Sequence, residues 1–348
     1  DTTVKMPQLL SLMGKTQLQL EAAYAGDIIA VAKLSELTSG YTFCDKKDPV
    51  IFDGPEFPTP TIYVAIKPKN KQDEEKISTA LQKIAQEDKT FETRRNPETA
   101  QLLIGGQGIT HIGYIIDKLK NTYKVEVDTE DPKVVYRETI RGKTDEHGVQ
   151  GRHKKQSGGA GQFGDVWIRF EPTDQDFEFH EEVFGGAVPK NYFPAVEKGL
   201  QKALEKGPLA GFPVIGVKAT LTDGSYHPVD SNEVSFVLAA GLAWQEACKV
   251  VKPTILEPIM EIKVTIKSEY VGAIMGDMSK RRGRILGQED IEGGKTVITA
   301  EVPESEIIKY ATELKAMTQA SGRFSRQFLR YDIAPEDKIK KIIEEYKK

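Results

Sequence analysis

A glycine-rich segment with a basic lead-in is the part of this sequence best suited to chemistry. Residues 151–164 read Gly-Arg-His-Lys-Lys-Gln-Ser-Gly-Gly-Ala-Gly-Gln-Phe-Gly. Arg152, Lys154 and Lys155 carry positive charge that attracts phosphate groups, and glycines let a main chain approach its ligand closely. Residues 165–170 alternate polar and apolar side chains, which is the period of a strand. The pattern predicts a loop that leads into a strand and contacts the RNA backbone.

Three nucleotide-binding patterns resemble parts of this sequence, and each fails on its context. The Gly-x-Gly-x-x-Gly spacing over 159–164 precedes a strand, whereas a dinucleotide loop needs a helix there. A kinase glycine loop precedes its Val-Ala-Ile-Lys strand, but that spelling lies upstream here, at 64–67. The Gly-Lys-Thr at 14–16 lacks the earlier glycine of a P-loop, because position 9 is Leu9. We therefore expect no nucleotide or other cofactor in this chain.

Composition limits the partners that the chain can have. Its 348 residues are enough for two to four domains, and its net charge of −4 argues against uniform coating of nucleic acid. Contact with RNA must then come from local basic patches. Cys44 and Cys248 lie too far apart for a metal motif, which fits a reducing cytoplasm. No apolar run approaches the ~20 residues of a membrane span, so we expect neither a metal site nor a membrane partner.

A histidine turn and a second basic cluster could also contact RNA. His227 follows Tyr226 in a predicted turn, and no neighbouring acid or nucleophile suggests catalysis. A lone histidine in such a turn is more often structural than functional. The Lys-Arg-Arg at 280–282 ends a predicted helix. Cations stabilise a helix C-terminus by themselves, so that role and contact with phosphates both stay open.

The order of predicted elements indicates a multidomain α+β chain. Residues 60–128 predict the order β-α-β-β-α-β, a ferredoxin-like split βαβ sandwich, and residues 255–331 repeat it before a short charged helix. Between them, residues 134–253 predict an α/β domain from which the glycine-rich tip protrudes. Three strands near the N-terminus, within 4–33, predict part of a β-barrel whose front lies upstream of residue 1. We therefore expect a fragment of a longer protein.

One long helix of the α/β domain is predicted over residues 231–251. Asp230 and Ser231 are alternative residues for its N-terminal cap. The aliphatic side chains of this helix predict its buried face. They are Val234, Val237, Leu238 and Leu242, with Ala247 after them.

Long motifs resemble translation elongation factor G. Residues 158–164, with their basic lead-in, are similar to the tip loop of the family's fourth domain, and Asp-Gly-Ser-Tyr-His-Pro-Val-Asp-Ser at 223–231 is similar to its second tip loop. Leu-Glu-Pro-Ile-Met at 256–260 and Gly-Asp-Met-Ser-Lys-Arg-Arg-Gly at 276–283 resemble the fifth domain. By this resemblance, the C-terminal part of the second domain and the third, fourth and fifth domains correspond to residues 1–53, 54–132, 133–253 and 254–348.

The resemblance implies the ribosome-binding C-terminal portion of a GTP-driven factor that moves transfer RNA and messenger RNA through the ribosome in the cytoplasm. The GTPase domain would precede residue 1. This chain would then be no enzyme, while the full-length parent would bind GTP and Mg and hydrolyse GTP. The implied partners of a monomeric factor are ribosomal RNA, ribosomal proteins and the A-site tRNA–mRNA duplex.

The two tip loops would enter the decoding A site. A codon–anticodon duplex must be held whatever its sequence, so we expect contacts to phosphates and 2′-hydroxyls, not base edges. The residues expected to contact RNA or the ribosome are Arg152, His153, Lys154, Lys155, Gln156, Ser157, Gly158, Gly159, Tyr226, His227, Lys280, Arg281 and Arg282.

Two departures from the family pattern keep other functions open. Residues 319–328 read Gln-Ala-Ser-Gly-Arg-Phe-Ser-Arg-Gln-Phe, where the family usually has a Gln-Gly turn and a Met-Glu-Phe strand, and Ala160 replaces a common Arg. These departures favour a non-translocating paralogue that acts in ribosome recycling or ribosomal protection. A stand-alone RNA-binding scaffold is a third alternative, which the raw edges of a half barrel over 1–53 disfavour.

Overall fold

The computed structural model describes residues 4, 8–32, 34, 37, 39–156 and 161–346. The chain forms two units, of which one contains residues 1–96 and 100–131 and the other contains residues 97–99 and 132–348. Each unit is treated by itself below.

A small antiparallel sheet lies near the N-terminus of the first unit. Its strands are β1 (Leu9–Met13), β2 (Thr16–Leu20) and β3 (Ala30–Val31), in the order β2-β1-β3. Gly14 adopts a φ of +59° in the two-residue turn between β1 and β2, a conformation that glycine adopts without steric cost. The described residues of 1–53 form this open sheet and no closed barrel.

The rest of the first unit is a split βαβ sandwich, called here the first sandwich. Its elements are β4 (Ile62–Pro68), α1 (Glu74–Glu87), β5 (Glu92–Arg95), β6 (Leu102–Gly106), α2 (Ile109–Asn121) and β7 (Val127–Glu130). The antiparallel sheet has the order β5-β6-β4-β7. The helices bury aliphatic residues that recur at the helical period of 3.6: Ile77, Leu81, Ile84, Ile112, Ile115 and Leu119.

An α/β domain, called here the central domain, begins the second unit. Its elements are β8 (Arg137–Ile140), β9 (Val149–Lys155), β10 (Gln162–Pro172), β11 (Phe177–Glu181), α3 (Phe193–Leu204), β12 (Val217–Ser225) and α4 (Glu233–Ala247). The sheet has the order β11-β12-β10-β9, in which only the β11–β12 pair is parallel. Val166, Ile168 and Phe170 alternate along β10 on the face that the two helices cover.

Helix α4 differs from the prediction at its start and in its buried face. It begins after Asn232, whose side chain accepts a hydrogen bond from the N–H of Ser235 at 2.9 Å, so the predicted caps Asp230 and Ser231 were wrong. The predicted inward face was right for Ala247, which is buried, and wrong for Val234, Leu238 and Leu242, which are exposed. Small and aromatic residues fill the buried side. The buried set is Ser235, Phe236, Ala239, Ala240, Ala243, Trp244 and Ala247.

Glycines in the sheet explain why α4 buries small side chains. A Cβ on Gly151 of β9 would lie 2.0 Å from the carbonyl oxygen of Ala239, and one on Gly164 of β10 would lie 2.4 Å from that of Ser235. The helix therefore approaches the sheet closely at these two positions. Leucine and valine side chains do not fit in so narrow a space, so they turn outward.

A second split βαβ sandwich, called here the second sandwich, completes the chain. Its elements are β13 (Pro253–Lys267), α5 (Val271–Lys280), β14 (Arg284–Ile291), β15 (Lys295–Pro303), α6 (Tyr310–Met317), β16 (Arg323–Ile333) and α7 (Glu336–Tyr346). Its four strands have the order β14-β15-β13-β16. The predicted repetition of the β-α-β-β-α-β order is thus confirmed.

Strand β13 belongs to both the central domain and the second sandwich. Residues 253–256 at its start pair antiparallel with β8, and the rest of the strand lies between β15 and β16. Helix α7 adds an aromatic contact, because the ring of Tyr346 lies 6.0 Å from that of Tyr136 and 4.9 Å from that of Phe212. The mixed charges of this last helix therefore accompany an apolar side that packs on the central domain.

The Glu138 carboxylate lies in a ring of main-chain donors. Glu138 is completely buried. The N–H of Leu209 donates to its Oε2 at 2.8 Å, and the N–H groups of Ala210, Gly211 and Phe212 donate to its Oε1 at 2.8, 3.0 and 3.2 Å. This carboxylate occupies the place of a bound anion in a main-chain nest. It thereby fixes the loop over 207–212 to β8.

The turn after α6 holds two non-glycine residues in the left-handed region. Gln319 and Ala320 have φ angles of +49° and +65°.

Since a Cβ disfavours this left-handed conformation, we expect Ala320→Gly to stabilise the second sandwich by roughly 0.5–1 kcal/mol. Slower amide hydrogen exchange in β13 would report the gain. Ala316→Gly, at an exposed helical position of α6, is the matched control and should destabilise; a loss from both substitutions would contradict the prediction.

Candidate nucleic-acid interface

The β9–β10 hairpin carries the predicted basic lead-in where β9 ends, next to the segment that joins the two strands. Arg152, Lys154 and Lys155 lie in β9, not in the loop, and their side chains are exposed. Gln156 follows them and is also exposed. Predicted contact residues 157–159 (Ser-Gly-Gly) lie outside the described residues, as does Ala160. The structure thus describes the basic strand and the return of the chain at Gln162.

Side chains on the hairpin are held by neighbours across the two strands. The Arg152 guanidinium lies 5.5 Å from the centre of the Phe163 ring, within the range of a cation–π contact. His153 is half-buried, and its Nε2 lies 2.9 Å from Oε1 of Gln162. No carboxylate of the described residues pairs with Arg152, so its charge stays available for phosphates.

The second predicted loop joins β12 to α4 and presents His227. The backbone N–H groups of Val229 and Asp230 donate to Nδ1 of His227 at 3.3 and 3.1 Å. With Nδ1 as the acceptor of these two bonds, the proton of a neutral ring lies on Nε2. Oδ2 of Asp230 also lies 3.4 Å from Nδ1, so an acid does neighbour this histidine, contrary to the expectation from the sequence. The side chain is 53% exposed. The ring can therefore offer an N–H donor outward, while Tyr226 beside it is also exposed.

Ser231 joins the second loop to the start of β10. Its hydroxyl accepts from the N–H of His227 at 2.8 Å and donates to the carbonyl oxygen of Phe163 at 2.8 Å. The N–H of Phe163 in turn donates to the carbonyl oxygen of Asp230 at 3.0 Å. The rings of Phe163 and His227 lie 6.5 Å apart. The two loops therefore form one surface, called here the tip, with Arg152, Phe163 and His227 close together.

The last two glycines of the motif have packing roles. A Cβ on Gly161 would lie 2.7 Å from Cγ of Asp230, and the contact of Gly164 with α4 is described above. Neither glycine is needed to admit a ligand. The two tip motifs contain Phe163, Asp230 and Ser231, but nothing in the sequence indicates that these residues contact one another, because the contacts join segments that lie about seventy residues apart in the chain.

The basic cluster at the end of α5 is mostly engaged within the second sandwich. Arg281 forms ion pairs with Asp277 and Glu313, and its guanidinium also donates to the carbonyl oxygen of Glu306 at 2.7 Å. Lys280 is exposed. Of the predicted contact residues in this cluster, Lys280 is thus the one whose charge is presented to solvent.

Arg282 is held by two carboxylates. Its guanidinium donates to both oxygens of Glu257 at 2.6 and 2.9 Å, and Nε donates to Glu306 at 3.1 Å. Burial raises the pKa of Glu306, but hydrogen bonds from Lys338 and Arg282 outweigh it and hold that pKa below its ordinary value. Arg282 adopts a φ of +59° just after α5. This geometry favours the structural role over contact with phosphates.

No group of three or more His, Cys, Asp or Glu side chains that could hold a metal ion occurs among the described residues. Within the same part of the chain, no helix combines the length and apolar character that crossing a membrane requires.

Comparisons with known proteins identify three consecutive domains. The family model "Elongation Factor G, domain III" matches residues 57–131, "Elongation factor G, domain IV" matches residues 132–252, and "Elongation factor G C-terminus" matches residues 254–342. A crystal structure of a protein from Thermus thermophilus matches 99% of this chain with 38% identity and a TM-score of 0.84.

The chain spans about half of that protein, covering 52% of its length. The three matches fall on the first sandwich, the central domain and the second sandwich, in the family's own order. The chain therefore belongs to the elongation factor G family, of which it carries domains III and IV and the C-terminal domain.

Proposed function

We propose that this chain is the ribosome-binding portion of a translational GTPase that promotes tRNA–mRNA translocation, with its tip in the decoding A site. The observation that carries this proposal is the joining of two loops through Ser231 and Phe163. This joining gathers cations and the His227 N–H donor at one end of the central domain. The full-length parent would bind and hydrolyse GTP with Mg in a domain outside this chain, as a monomer in the cytoplasm.

The tip is suited to RNA of any sequence. Arg152, Lys154 and Lys155 supply charge for phosphates, and His227 Nε2 and the amide of Gln156 supply donors for 2′-hydroxyl or phosphate oxygens. Contacts of this kind hold a codon–anticodon duplex without reading its sequence.

Removal of the tip cations should weaken ribosome binding in a salt-dependent manner. A plot of the logarithm of the binding constant against the logarithm of the salt concentration has a negative slope. For Arg152→Ala/Lys154→Ala/Lys155→Ala, we expect this slope to become shallower by about 2, because each lost phosphate contact removes ~0.7–0.9 from its magnitude. The free energy of unfolding should change by less than about 1 kcal/mol. Ribosome pelleting across a salt series measures the slope. The matched control replaces Lys263, Lys267 and Lys295, which are exposed on the second sandwich; an equal loss there would contradict a specific tip.

His227→Ala in the full-length parent should slow translocation and leave ribosome-stimulated GTP hydrolysis unchanged, because the donor acts on RNA and not on the nucleotide. A toeprint time course with peptidyl-tRNA in the A site measures the first, and phosphate release measures the second. His180→Ala is the control, since His180 is an exposed histidine on β11, away from the tip. Equal loss of both activities would assign His227 to folding or docking instead.

A non-translocating paralogue that acts in recycling or ribosomal protection is the second candidate. The turn at Gln319 and Ala320, left-handed without glycine, lies in the segment that departs from the family sequence. The toeprint separates the two candidates. GTP hydrolysis on the ribosome without a three-nucleotide shift by the unsubstituted parent would favour the paralogue and contradict translocation.

A further inference from the structure

Helix α4 has the composition of a completely buried helix, yet one side of it faces solvent. Residues 234–244 contain no charged side chain, and helices that are apolar all round are normally covered on every side. The side towards the sheet is buried, as described above. On the other side, Val234, Leu238 and Leu242 are 60%, 43% and 37% exposed. Their spacing of four residues makes an aliphatic row on the helix.

Helix α3 lies directly beside this aliphatic row. A Cβ on Gly199 would lie 2.5 Å from the carbonyl oxygen of Val237 and 2.9 Å from Cβ of Ala240, so the two helices are in close contact there. The next residues around each helix are Lys198 and Leu238, and both are exposed. Each helix thus carries an exposed side chain one residue from the point of contact, a cation on α3 and an aliphatic group on α4.

Lysines recur along this edge of α3. Lys198, Lys202 and Lys206 follow one another at intervals of four residues over about 12 Å, the first two in α3 and the third just after it. All three are exposed, and none forms an ion pair with another described residue. The aliphatic row and these lysines together are called here the α3–α4 face.

We propose that the α3–α4 face docks an amphipathic helix of a partner protein, whose apolar side covers Val234, Leu238 and Leu242 and whose carboxylates meet the three lysines. A helix laid in the groove between two helices is a common mode of peptide recognition. RNA fits this face less well, because the aliphatic row of Val234, Leu238 and Leu242 gains nothing from contact with phosphates. The inference goes beyond the proposed function, since it uses neither the tip nor RNA.

A synthetic peptide tests the proposal without ribosomes. The probe is an 18-residue helical peptide with Leu at positions i, i+4, i+7 and i+11 and Glu beside them, labelled for fluorescence anisotropy. We expect binding by the chain with a Kd of about 10–100 µM, weaker at higher salt, as for a small transient interface. A peptide with Lys in place of Glu should not bind.

Charge reversal makes the test specific. Lys198→Glu/Lys202→Glu/Lys206→Glu should weaken the acidic peptide about tenfold and gain affinity for the Lys peptide. Leu238→Asp/Leu242→Asp should bind neither peptide, while the tip triple variant should bind like the unsubstituted chain. Near-ultraviolet circular dichroism verifies that each variant is folded. The conservative Leu238→Ala/Leu242→Ala pair provides a second reading should the Asp pair misfold, because it should weaken binding without adding charge.

Three results would overturn the proposal. They are absence of acidic-peptide binding at millimolar concentration, affinity unchanged by charge reversal, and preference for an RNA duplex that depends on the lysines but not on Leu238 and Leu242. The last result would make this face a nucleic-acid surface. The peptide assay contains no ribosome, so its outcome does not depend on the proposed function. Each of the two proposals can therefore fail without the other.

Discussion

Glu138→Gln should lower the free energy of unfolding of the central domain by about 2–4 kcal/mol. The amide has one oxygen acceptor in place of two, and its NH₂ group would face main-chain N–H groups that need an acceptor. At least one buried donor is then left unpaired, and the charge-assisted character of the remaining bonds is lost. Glu138→Ala should cost more, because all four N–H groups of the 209–212 loop lose their partner.

The positions of the two tryptophans allow unfolding of the central domain to be measured separately. Trp167 in β10 and Trp244 in α4 both lie in the central domain. Tryptophan fluorescence during urea unfolding therefore follows this domain without signal from the two sandwiches. Glu181→Gln is the matched control at an exposed position of β11 and should change stability by less than about 0.5 kcal/mol. Equal midpoints for Glu138→Gln and the unsubstituted chain would mean that the carboxylate charge is not required.

Arg282→Ala should destabilise the second sandwich by about 3–5 kcal/mol. The substitution removes both hydrogen bonds to Glu257, a residue that is only 4% exposed, and leaves that carboxylate buried without a counter-charge. Amide hydrogen exchange along β13, the central strand of this sandwich, measures the change.

The cost should be largely that of the orphaned carboxylate. Arg282→Met/Glu257→Leu should therefore regain much of the loss, because well-packed apolar residues often replace a buried ion pair without destabilising the fold. Lys280→Ala is the control for charge, as this lysine is exposed. If Arg282→Ala weakened ribosome binding while hydrogen exchange stayed unchanged, the residue would be a contact residue and not a structural one.

Periodicity predicted the two sandwiches well because their helices are strongly two-sided. In α1, Ile77, Leu81 and Ile84 fall on one face between charged residues, so the buried side follows from spacing alone. The strands between such helices are bounded by recognisable turns. Element order then identifies the split βαβ arrangement, and the family motifs agree with it.

Helix α4 could not be oriented in the same way. It is apolar on every side, so its spacing gives no preferred face, and the largest aliphatic residues misled the prediction. The buried side is chosen by Gly151 and Gly164 on two strands far away in sequence. In the sequence, these two glycines resemble ligand-binding residues. In the structure, both lie against α4, where a larger side chain would not fit.

The candidate site shows the same limit. Exposed cations in β9 and the turn that holds His227 were visible in the sequence, since both are local patterns. The sequence places Ser231 in the second tip motif and makes it a candidate helix cap, but its bond to Phe163 depends on a fold that joins distant segments. The same holds for Arg282, whose partner Glu257 lies 25 residues earlier.

Strand β13 has a mechanical consequence for how force passes through the second unit. It is a single strand of 15 residues, about 50 Å of extended backbone, that starts beside β8 and ends in the middle of the second sandwich. A pull along this strand loads the β8 and β16 ladders in shear, where several hydrogen bonds resist together instead of separating one at a time. Tension applied to the second sandwich therefore reaches the central domain directly along β13, because no flexible linker separates the two.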